Sequence, residues 1–398
     1  MKKLLISSSG LAIVVMAINF LFKIYLSYHI SKEELGVFYT FMDFVSMGVL
    51  VFSGYKDSLI RAYDKQGFQN VMYWYTYSFW GLFGCVLLVE LFYFERTAIN
   101  YSPYWLIGIF FMNVLMIFVS YLNAAYKAYR IMLFENLVLT VGLIVSFIVF
   151  YSIFENIYAL MSAFVFSFAV KTVFILYRTP VQFVLKKSHF DQVRAFFKQT
   201  LMSGLMYFFS GVFISMSGVV LLNLFGDKTI LSEYQVVVKS IFFSLVAIFV
   251  FPLNTFTFPQ LSALVSQNQT GEIKRIEKKL ALYLSVFFVL LLLSTFVTEF
   301  AIDFVFPAAY AQSYKMLNIL LPLLPFIAYT TFAVNILKGF DRFDLALYIR
   351  MAGSIVFFIA VYLLYIFGYD AVSVVYSLDL SFAVMFILAY FFKRKVLQ

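Results

Sequence analysis

The chain has 398 residues, of which 64% are hydrophobic, 21% are aromatic and only 12% are charged, and its formal net charge is +9. A soluble protein of this length could not bury so much apolar surface, so we expect lipid to surround most of the chain. No polar stretch approaches the roughly 50 residues of a domain, which excludes a soluble domain on a membrane anchor. The lone Cys85 and two distant histidines give no metal-ligand spacing, and we expect no metal and no cofactor.

Apolar segments long enough to cross a bilayer as helices, about 20 residues each, follow one another along the chain. The predicted spans are 6–29, 36–54, 71–94, 103–125, 131–154, 157–177, 200–224, 233–258, 280–299, 314–335, 345–367 and 371–391. They are too long and too continuously apolar to be the alternating strands of a barrel. The sequence therefore predicts an all-α polytopic membrane protein with twelve transmembrane helices.

Lysine and arginine are distributed unevenly over the connections between these spans. If the N-terminus is cytoplasmic, the predicted outer loops contain only Lys32, Arg96 and Lys228. Because cytoplasmic loops are enriched in lysine and arginine, this distribution predicts that both termini are cytoplasmic. The basic net charge then reflects loops that face anionic membrane lipids, and no nucleic-acid partner is expected.

Three charged side chains are predicted near one depth below the outer face. Lys23 and Asn19 lie in the first span, Asp43 lies in the second and Lys239 lies in the eighth. A lysine at the centre of a membrane helix costs roughly 2.5–3.5 kcal/mol, so a functional polar site is one interpretation. A Lys23–Asp43 salt bridge that only joins two helices, or a Lys23 that reaches the outer interface, would explain the same pattern.

The remaining polar residues inside the spans have two interpretations each. Lys171 in span six is either a second cation of the polar site or a side chain that reaches the inner interface. Asp379 in span twelve is either a coupling-ion site or a carboxylate paired with a neighbouring hydroxyl. Glu90, Glu135 and Glu299 lie close to predicted helix ends and are expected at the membrane interface.

The basic segment RTPVQFVLKKSHFDQVRAFFKQT divides the spans into two equal groups. Its apolar residues could share one helix face, which predicts an amphipathic helix on the inner leaflet. The predicted domains are thus a lobe over 1–177, a linker over 178–199 and a lobe over 200–398. Residues 33–52 align with 229–248 at a constant offset, as expected for lobes related by a pseudo-twofold axis along the membrane normal, although two apolar helices can match by chance.

ISKEELGVFYTFMDFVSMGVLVFSGYKDSLIRAYDK resembles the second-helix signature of the polysaccharide (O-antigen type, or Wzx-type) flippases. The matching residues are Leu35, Gly36, Phe38, Gly54, Ser58 and Arg61. SEYQVVVKSIFFSLVAIFVFPLNTFTFPQLSAL and AYAQSYKMLNILLPLLPFIAYTTFAVNILKGFDRF resemble the eighth and tenth helices of that family. The family belongs to the multidrug/oligosaccharidyl-lipid/polysaccharide exporter superfamily, and the resemblance extends over nearly the whole chain.

The resemblance implies that an undecaprenyl-diphosphate-linked oligosaccharide crosses from the inner to the outer leaflet of the bacterial cytoplasmic membrane. Lys23, Lys239, Arg61, Lys171 and Asn19 are then the candidate substrate-binding residues of a cationic cavity. Asp43 and Asp379 are candidate counter-ions or coupling sites. Arg61 has a simpler alternative as an anchor at the cytoplasmic face. A polysaccharide polymerase and chain-length proteins are the expected partners.

The sequence contains no recognisable catalytic or nucleotide-binding motif, so we expect a transporter driven by a proton, sodium or substrate gradient and not an enzyme. A cation-coupled multidrug exporter of the same superfamily is the main alternative. A glycan polymerase or ligase would need a long, well-equipped outer loop, and a scaffold without transport activity would tolerate neutralisation of the charges in the spans.

Overall fold

The computed structural model describes residues 2–63, 68–126, 129–179, 193–267 and 269–397. All regular secondary structure in these ranges is helical. The α-helices are α1 Lys2–His29, α2 Lys32–Leu50, α3 Ser53–Tyr63, α4 Phe68–Phe94, α5 Pro103–Ala125, α6 Tyr129–Phe154, α7 Ile157–Arg178, α8 Arg194–Val220, α9 Lys228–Ser232, α10 Lys239–Ser266, α11 Thr270–Ser294, α12 Thr298–Val305, α13 Ser313–Leu320, α14 Leu324–Gly339, α15 Phe343–Ile366 and α16 Ser373–Leu397. Short π-helical turns at Leu221–Phe225 and Glu233–Val238 flank α9, and 3₁₀ turns at Ala308–Tyr310 and Leu321–Leu323 flank α13.

Each predicted span corresponds to an apolar helical segment among the described residues. Nine segments are long and apolar enough to cross a membrane on their own, and two further spans are bent helix pairs. The apolar part of α1, Ile13–His29, supplies the remaining segment. The chain is a multi-pass membrane protein with all the predicted spans in their predicted order.

Two predicted spans are bent where the sequence analysis expected continuous helices. The axis turns by 40° between α2 and α3, and by 63° between α11 and α12. At the second bend the Ser294 hydroxyl donates to the Leu291 carbonyl at 2.7 Å, and the Thr295 hydroxyl donates to the Leu292 carbonyl at 2.6 Å. Such local bonds from serine and threonine compete with the helical hydrogen-bond ladder and favour a bend.

Several helix boundaries follow directly from local sequence. Ser102 caps α5 by accepting a hydrogen bond from the Tyr104 amide, and Pro103 occupies the first turn, where no amide donor is needed. Asp227 caps α9 in the same way and follows Gly226, which has a φ of 65°. This left-handed conformation ends the preceding turn at little cost for glycine.

The described chain forms two compact units. The first contains residues 1–22 and 40–219, and its core is rich in aromatic rings, such as Tyr75 stacked on Phe118 with ring centroids 4.9 Å apart. The second contains residues 23–39 and 220–398, with a buried cluster of Leu261, Ile273, Phe332, Ile336 and Leu397. These bounds differ from the predicted lobes of 1–177 and 200–398, and that lobe division stays a prediction.

The predicted amphipathic linker over 178–199 lies mainly outside the described residues. Its described end belongs to α8, which begins at Arg194 and continues into the following span. Phe196 is buried there, with a ring centroid 6.2 Å from that of Tyr55. The last residues of the linker therefore form the first turns of a spanning helix.

Two glycines of the flippase-like signature lie where helices touch. A Cβ atom built on Gly54 of α3 would lie 2.1 Å from the Thr200 carbonyl oxygen and 2.6 Å from the Gly204 amide nitrogen of α8. A Cβ atom on Gly36 of α2 would lie 2.3 Å from the Ser232 hydroxyl. Small residues let membrane helices approach this closely. The signature residues therefore have a packing role that is independent of any substrate.

Candidate functional site

The first candidate residue, Lys23, is half-buried on α1 and is held by two side chains of other helices. Its ammonium donates a hydrogen bond of 2.7 Å to the Ser240 hydroxyl of α10. It also lies 4.3 Å from the ring centroid of Tyr39 on α2, a cation–π distance. Lys23 therefore has a defined position inside the second unit.

Lys239 is the residue next to Ser240 and begins α10 directly after a π-helical turn. π-Helical turns are rare and occur frequently at functional sites. Lys239 is half-buried, whereas the residues of the preceding turn are fully buried, including the carboxylate of Glu233. The Lys23 ammonium thus contacts the residue that follows Lys239 in sequence, and the common site predicted for the two lysines stays a prediction.

A further cation, Lys32, extends this polar region toward the predicted outer face. Its ammonium forms an ion pair of 2.8 Å with Glu233, which is largely buried, and donates to the Ala309 carbonyl oxygen. The same ammonium lies 5.3 Å from the ring centroid of Tyr310. Burial, followed by the carboxylates of Glu33 and Glu233, raises the pKa of the Tyr310 phenol above its ordinary value. Tyr310 is consequently a neutral phenol in this cluster.

Lys32 and Glu233 are not among the site residues predicted from the sequence. A signal was nevertheless present, because Lys32 is one of the few basic residues in the predicted outer loops. Lys23, Lys32, Lys239 and Glu233 all belong to the second unit, and we call them the α10 charge cluster. Three of its four members are lysines, and the Glu33 carboxylate, which also acts on Tyr310, lies in the same region.

Asn19 lies one turn before Lys23 on α1 but in the first unit. Its amide nitrogen donates a hydrogen bond of 3.1 Å to the Thr140 hydroxyl of α6. This contact joins two helices of that unit and leaves the amide oxygen of Asn19 as the atom through which a ligand donor could bind. The predicted substrate role of Asn19 stays a prediction.

Lys171 is buried on α7 and is paired inside the first unit. Its ammonium lies 3.5 Å from the Glu135 carboxylate of α6 and donates to the Asn136 side-chain oxygen at 3.4 Å. Glu135 is itself buried, and the Asn123 amide donates to it. The depth expected for Glu135 stays a prediction, but the structure shows its side chain buried between helices and not exposed. A helix-end position gives the depth of a side chain, and packing against α5 and α7 decides its burial.

Because each charge of this pair is buried against the other, we expect Lys171→Met to lower the free energy of unfolding by roughly 3–5 kcal/mol. The double variant Lys171→Met/Glu135→Leu should recover most of that loss, since no uncompensated charge remains. Thermal unfolding of the purified protein in detergent measures both effects. A double variant no more stable than the single variant would contradict the pairing, whereas one that is stable but inactive would indicate that Lys171 also contacts the substrate.

Glu90 of α4 was also expected at the interface, and the structure instead buries it. Its side chain is 2% exposed, and neither carboxylate oxygen has a hydrogen-bond partner within the described part of the chain. It packs against the backbone of Gly48, where a Cβ atom would lie 2.0 Å from the carboxylate. The burial of Glu90 therefore follows from the packing of α4 against α2 at Gly48.

The two aspartates predicted as counter-ions or coupling sites lie in different units. Asp43 is half-buried on α2 in the first unit, and Asp379 is half-buried on α16 in the second. The Oδ1 atom of Asp379 is buried without a hydrogen-bond partner among the described residues. The predicted roles of both carboxylates stay predictions, as does the Lys23–Asp43 ion pair.

Arg61 lies near the end of α3, on the side of the span that the basic residues predict to be cytoplasmic. Its side chain is outside the described part of the structure. Four residues earlier, Asp57 accepts a hydrogen bond of 3.0 Å from the Tyr207 hydroxyl of α8. The backbone of Arg61 is thus part of a helix attached to α8, and its predicted contact with a diphosphate stays a prediction.

Comparison with known proteins shows the fold. No family model matches the sequence, and no curated protein matches it. A solved structure of a multidrug resistance MATE family transporter of the MOP superfamily, in an inward-facing conformation, has 14% identity and a TM-score of 0.76, covering 96% of this chain and 94% of that one. The lipid II flippase MurJ in an inward closed conformation has 14% identity and a TM-score of 0.72, covering 97% and 87%.

A third solved structure is a MOP superfamily transporter from Pyrococcus furiosus, with 16% identity and a TM-score of 0.60 over 100% of this chain and 96% of that one. Its description states that a reversed polarity of its binding pocket suggests a different function. These similarities show that the chain has the same fold as these transporters. The predicted fold class, an all-α membrane protein of twelve helices in two lobes, is confirmed. The subfamily and the substrate are not decided by a shared fold.

Proposed function

We propose that this protein is a flippase that moves an undecaprenyl-diphosphate-linked oligosaccharide from the inner to the outer leaflet of a bacterial cytoplasmic membrane. The observation that carries the proposal is the α10 charge cluster, in which the Lys23 ammonium is held by the Tyr39 ring and by Ser240, the residue that follows Lys239 in sequence. Fixed ammonium groups inside membrane helices suit an anionic cargo and oppose a cationic one. The resemblance of the second, eighth and tenth helices to polysaccharide flippases agrees with that charge.

The diphosphate is the part of this cargo with the highest free-energy cost of transfer into hydrocarbon, because its charge would be unpaired there. Ammonium groups supply point charges and several rotatable donors, which suit a phosphate in more than one orientation. The Tyr39 ring and the Ser240 hydroxyl fix the Lys23 ammonium before the substrate arrives, so less ordering is needed on binding. The polyprenyl tail stays in lipid while the head group crosses by alternating access.

A proton or sodium gradient would drive the cycle, with Asp43 or Asp379 as the coupling carboxylate. The buried Oδ1 atom of Asp379 supports a role for that residue, because a proton or cation would satisfy an acceptor that has no partner among the described residues. The distribution of basic residues predicts that both termini are cytoplasmic. A polymerase and chain-length proteins acting on the exported glycan are the expected partners.

The alternative is a cation-coupled multidrug exporter, and the observation that favours it is the fold similarity to MATE transporters. Reconstituted protein in liposomes separates the two functions. A polyprenyl-diphosphate oligosaccharide should become accessible to an impermeant glycosidase on the opposite face, while a cationic dye should not be transported. Dye transport without movement of the glycolipid would overturn the flippase and establish the exporter.

A further inference from the structure

A second site lies in the second unit, away from the α10 charge cluster. Helices α11, α14 and α16 line an open cavity of about 480 Å³. Its walls are apolar and aromatic, and the rings of Phe288, Phe326 and Phe386 pack in sequence with centroids 5.7 and 5.0 Å apart. One wall extends along α11 from Glu277 to Val289. At 1.5 Å per residue this is a length of about 18 Å.

That length is close to the thickness of one leaflet, since the hydrocarbon core of a bilayer measures roughly 30 Å. The three helices that form the cavity belong to segments that are long and apolar enough to span a membrane. A cavity with such walls at this depth is surrounded by lipid, so a lipid chain is the occupant that the surroundings supply. An apolar groove alone would not select one lipid over another.

The polar end of the cavity can distinguish one lipid head group from another. Glu277, Tyr329 and Lys393 form a triad there, with the Tyr329 hydroxyl donating to Glu277 Oε1 at 2.6 Å. The Lys393 ammonium donates to Tyr329 at 2.8 Å and also to Glu277 Oε1. Lys393 is 4% exposed, so its buried ammonium holds the side chains of Glu277 and Tyr329 in place at this end of the cavity. We call these residues the Glu277 triad.

The hydrogen bonds of Glu277 to described residues all use Oε1, and Glu277 lines the cavity. Oε2 is therefore the carboxylate oxygen that remains for a ligand. It needs a cationic or neutral hydrogen-bond donor. One turn before Glu277 on the same helix, Lys274 is exposed, and Lys278 follows Glu277 directly and is exposed as well. These ammonium groups suit a phosphate at the membrane surface.

We propose that this cavity binds one phosphatidylethanolamine molecule from the leaflet that faces the lysine-rich ends of α11 and α16. The acyl chain lies against the aromatic wall, the primary ammonium donates to Glu277, and the phosphate lies among the exposed lysines. A zwitterionic head group matches a carboxylate and lysines that lie within one helical turn of each other. Choline has no N–H donor for the carboxylate, and phosphatidylglycerol has no positive charge to offer it.

The test uses delipidated full-length protein in detergent, titrated separately with phosphatidylethanolamine, phosphatidylcholine and phosphatidylglycerol. Bound lipid is counted by native mass spectrometry, and the shift in unfolding temperature is measured in parallel. We expect phosphatidylethanolamine to bind about tenfold more tightly than phosphatidylcholine, the effect of one charge-assisted hydrogen bond. Equal binding of these lipids, or tighter binding of phosphatidylglycerol, would overturn the proposal.

Two variants locate the binding. Ala281→Trp places a large ring in the groove and should abolish the bound lipid, whereas Val286→Trp, on the same helix but away from the cavity lining, should not. The double variant Glu277→Gln/Lys393→Met removes the carboxylate together with its buried partner, so it should keep the groove but remove the preference for phosphatidylethanolamine over phosphatidylcholine. Unchanged binding by Ala281→Trp, or an unchanged preference in this double variant, would place the lipid elsewhere. No glycolipid takes part in these measurements, so their outcome is independent of the flippase proposal.

Discussion

Lys239→Ala should reduce head-group translocation by at least ten- to a hundredfold while leaving the amount of protein in the membrane unchanged. A hydrogen bond or ion pair to a charged group contributes roughly 1.5–3 kcal/mol, which corresponds to that range of rates or affinities. Because a charge inside a membrane helix opposes insertion, its removal is not expected to lower expression. Glycolipid accessibility in proteoliposomes and surface glycan in complemented cells both measure the effect.

Two further variants make this prediction specific to the site. Lys239→Arg keeps the positive charge and should retain part of the activity, although the planar guanidinium does not reproduce the geometry of an ammonium. Lys228→Ala removes an exposed lysine at the start of α9 and should behave like the unaltered protein. Normal export by Lys239→Ala would contradict a substrate role for the α10 charge cluster and would leave Lys23 and Lys239 with a structural role alone.

Gly54→Ala should strongly reduce the yield of folded protein. The added methyl group would overlap two backbone atoms of α8, and backbone cannot move aside as a flexible side chain can. Overpacking of this kind costs about 1–3 kcal/mol or more, and separation of α3 from α8 would also break the Asp57–Tyr207 hydrogen bond. Size-exclusion profiles and unfolding temperatures in detergent measure the loss.

Gly204, on the other side of the same helix contact, provides a matched control. A Cβ atom on Gly204 would lie 3.5 Å from the Val51 carbonyl oxygen, an ordinary van der Waals distance. Gly204→Ala should therefore be tolerated, and Gly81→Ala, which has open space around it, should be neutral or slightly stabilising because alanine favours helix more than glycine does. If Gly54→Ala were as stable as Gly204→Ala, the close approach of α3 and α8 would be incorrect.

The course of the chain across the membrane could be predicted from sequence because hydropathy is a local property. Each predicted span corresponds to a helical segment, whereas the bends after α2 and α11 and the π-helical turns beside α9 were not predicted. The likeness of the second helix to the flippase signature selected Gly36 and Gly54, and the structure supplies the reason, which is close helix packing. Sequence spacing alone does not show which helix a small residue will touch.

Partners of the polar residues could not be predicted in the same way. The predicted depths of Lys23 and Lys239 in the membrane are similar, but the contacts of Lys23 with Ser240 and Tyr39 depend on which helices pack together. Glu90 and Glu135 lie near helix ends, yet neighbouring helices bury both of them. Position along one helix determines depth in the membrane, and exposure is determined by helices that are distant in sequence.

The assignment of residues 23–39 to the second unit has a practical consequence for fragment complementation. A cut within 180–192 would produce two polypeptides, and the C-terminal one would lack the segment that carries Lys23 and Lys32. Ser240 and Glu233 would then lose the ammonium groups bonded to them. Co-expressed halves would thus have to form the Lys23–Ser240 and Lys32–Glu233 contacts between two separate polypeptides before either half is fully folded. This protein is therefore poorly suited to separate production of its halves.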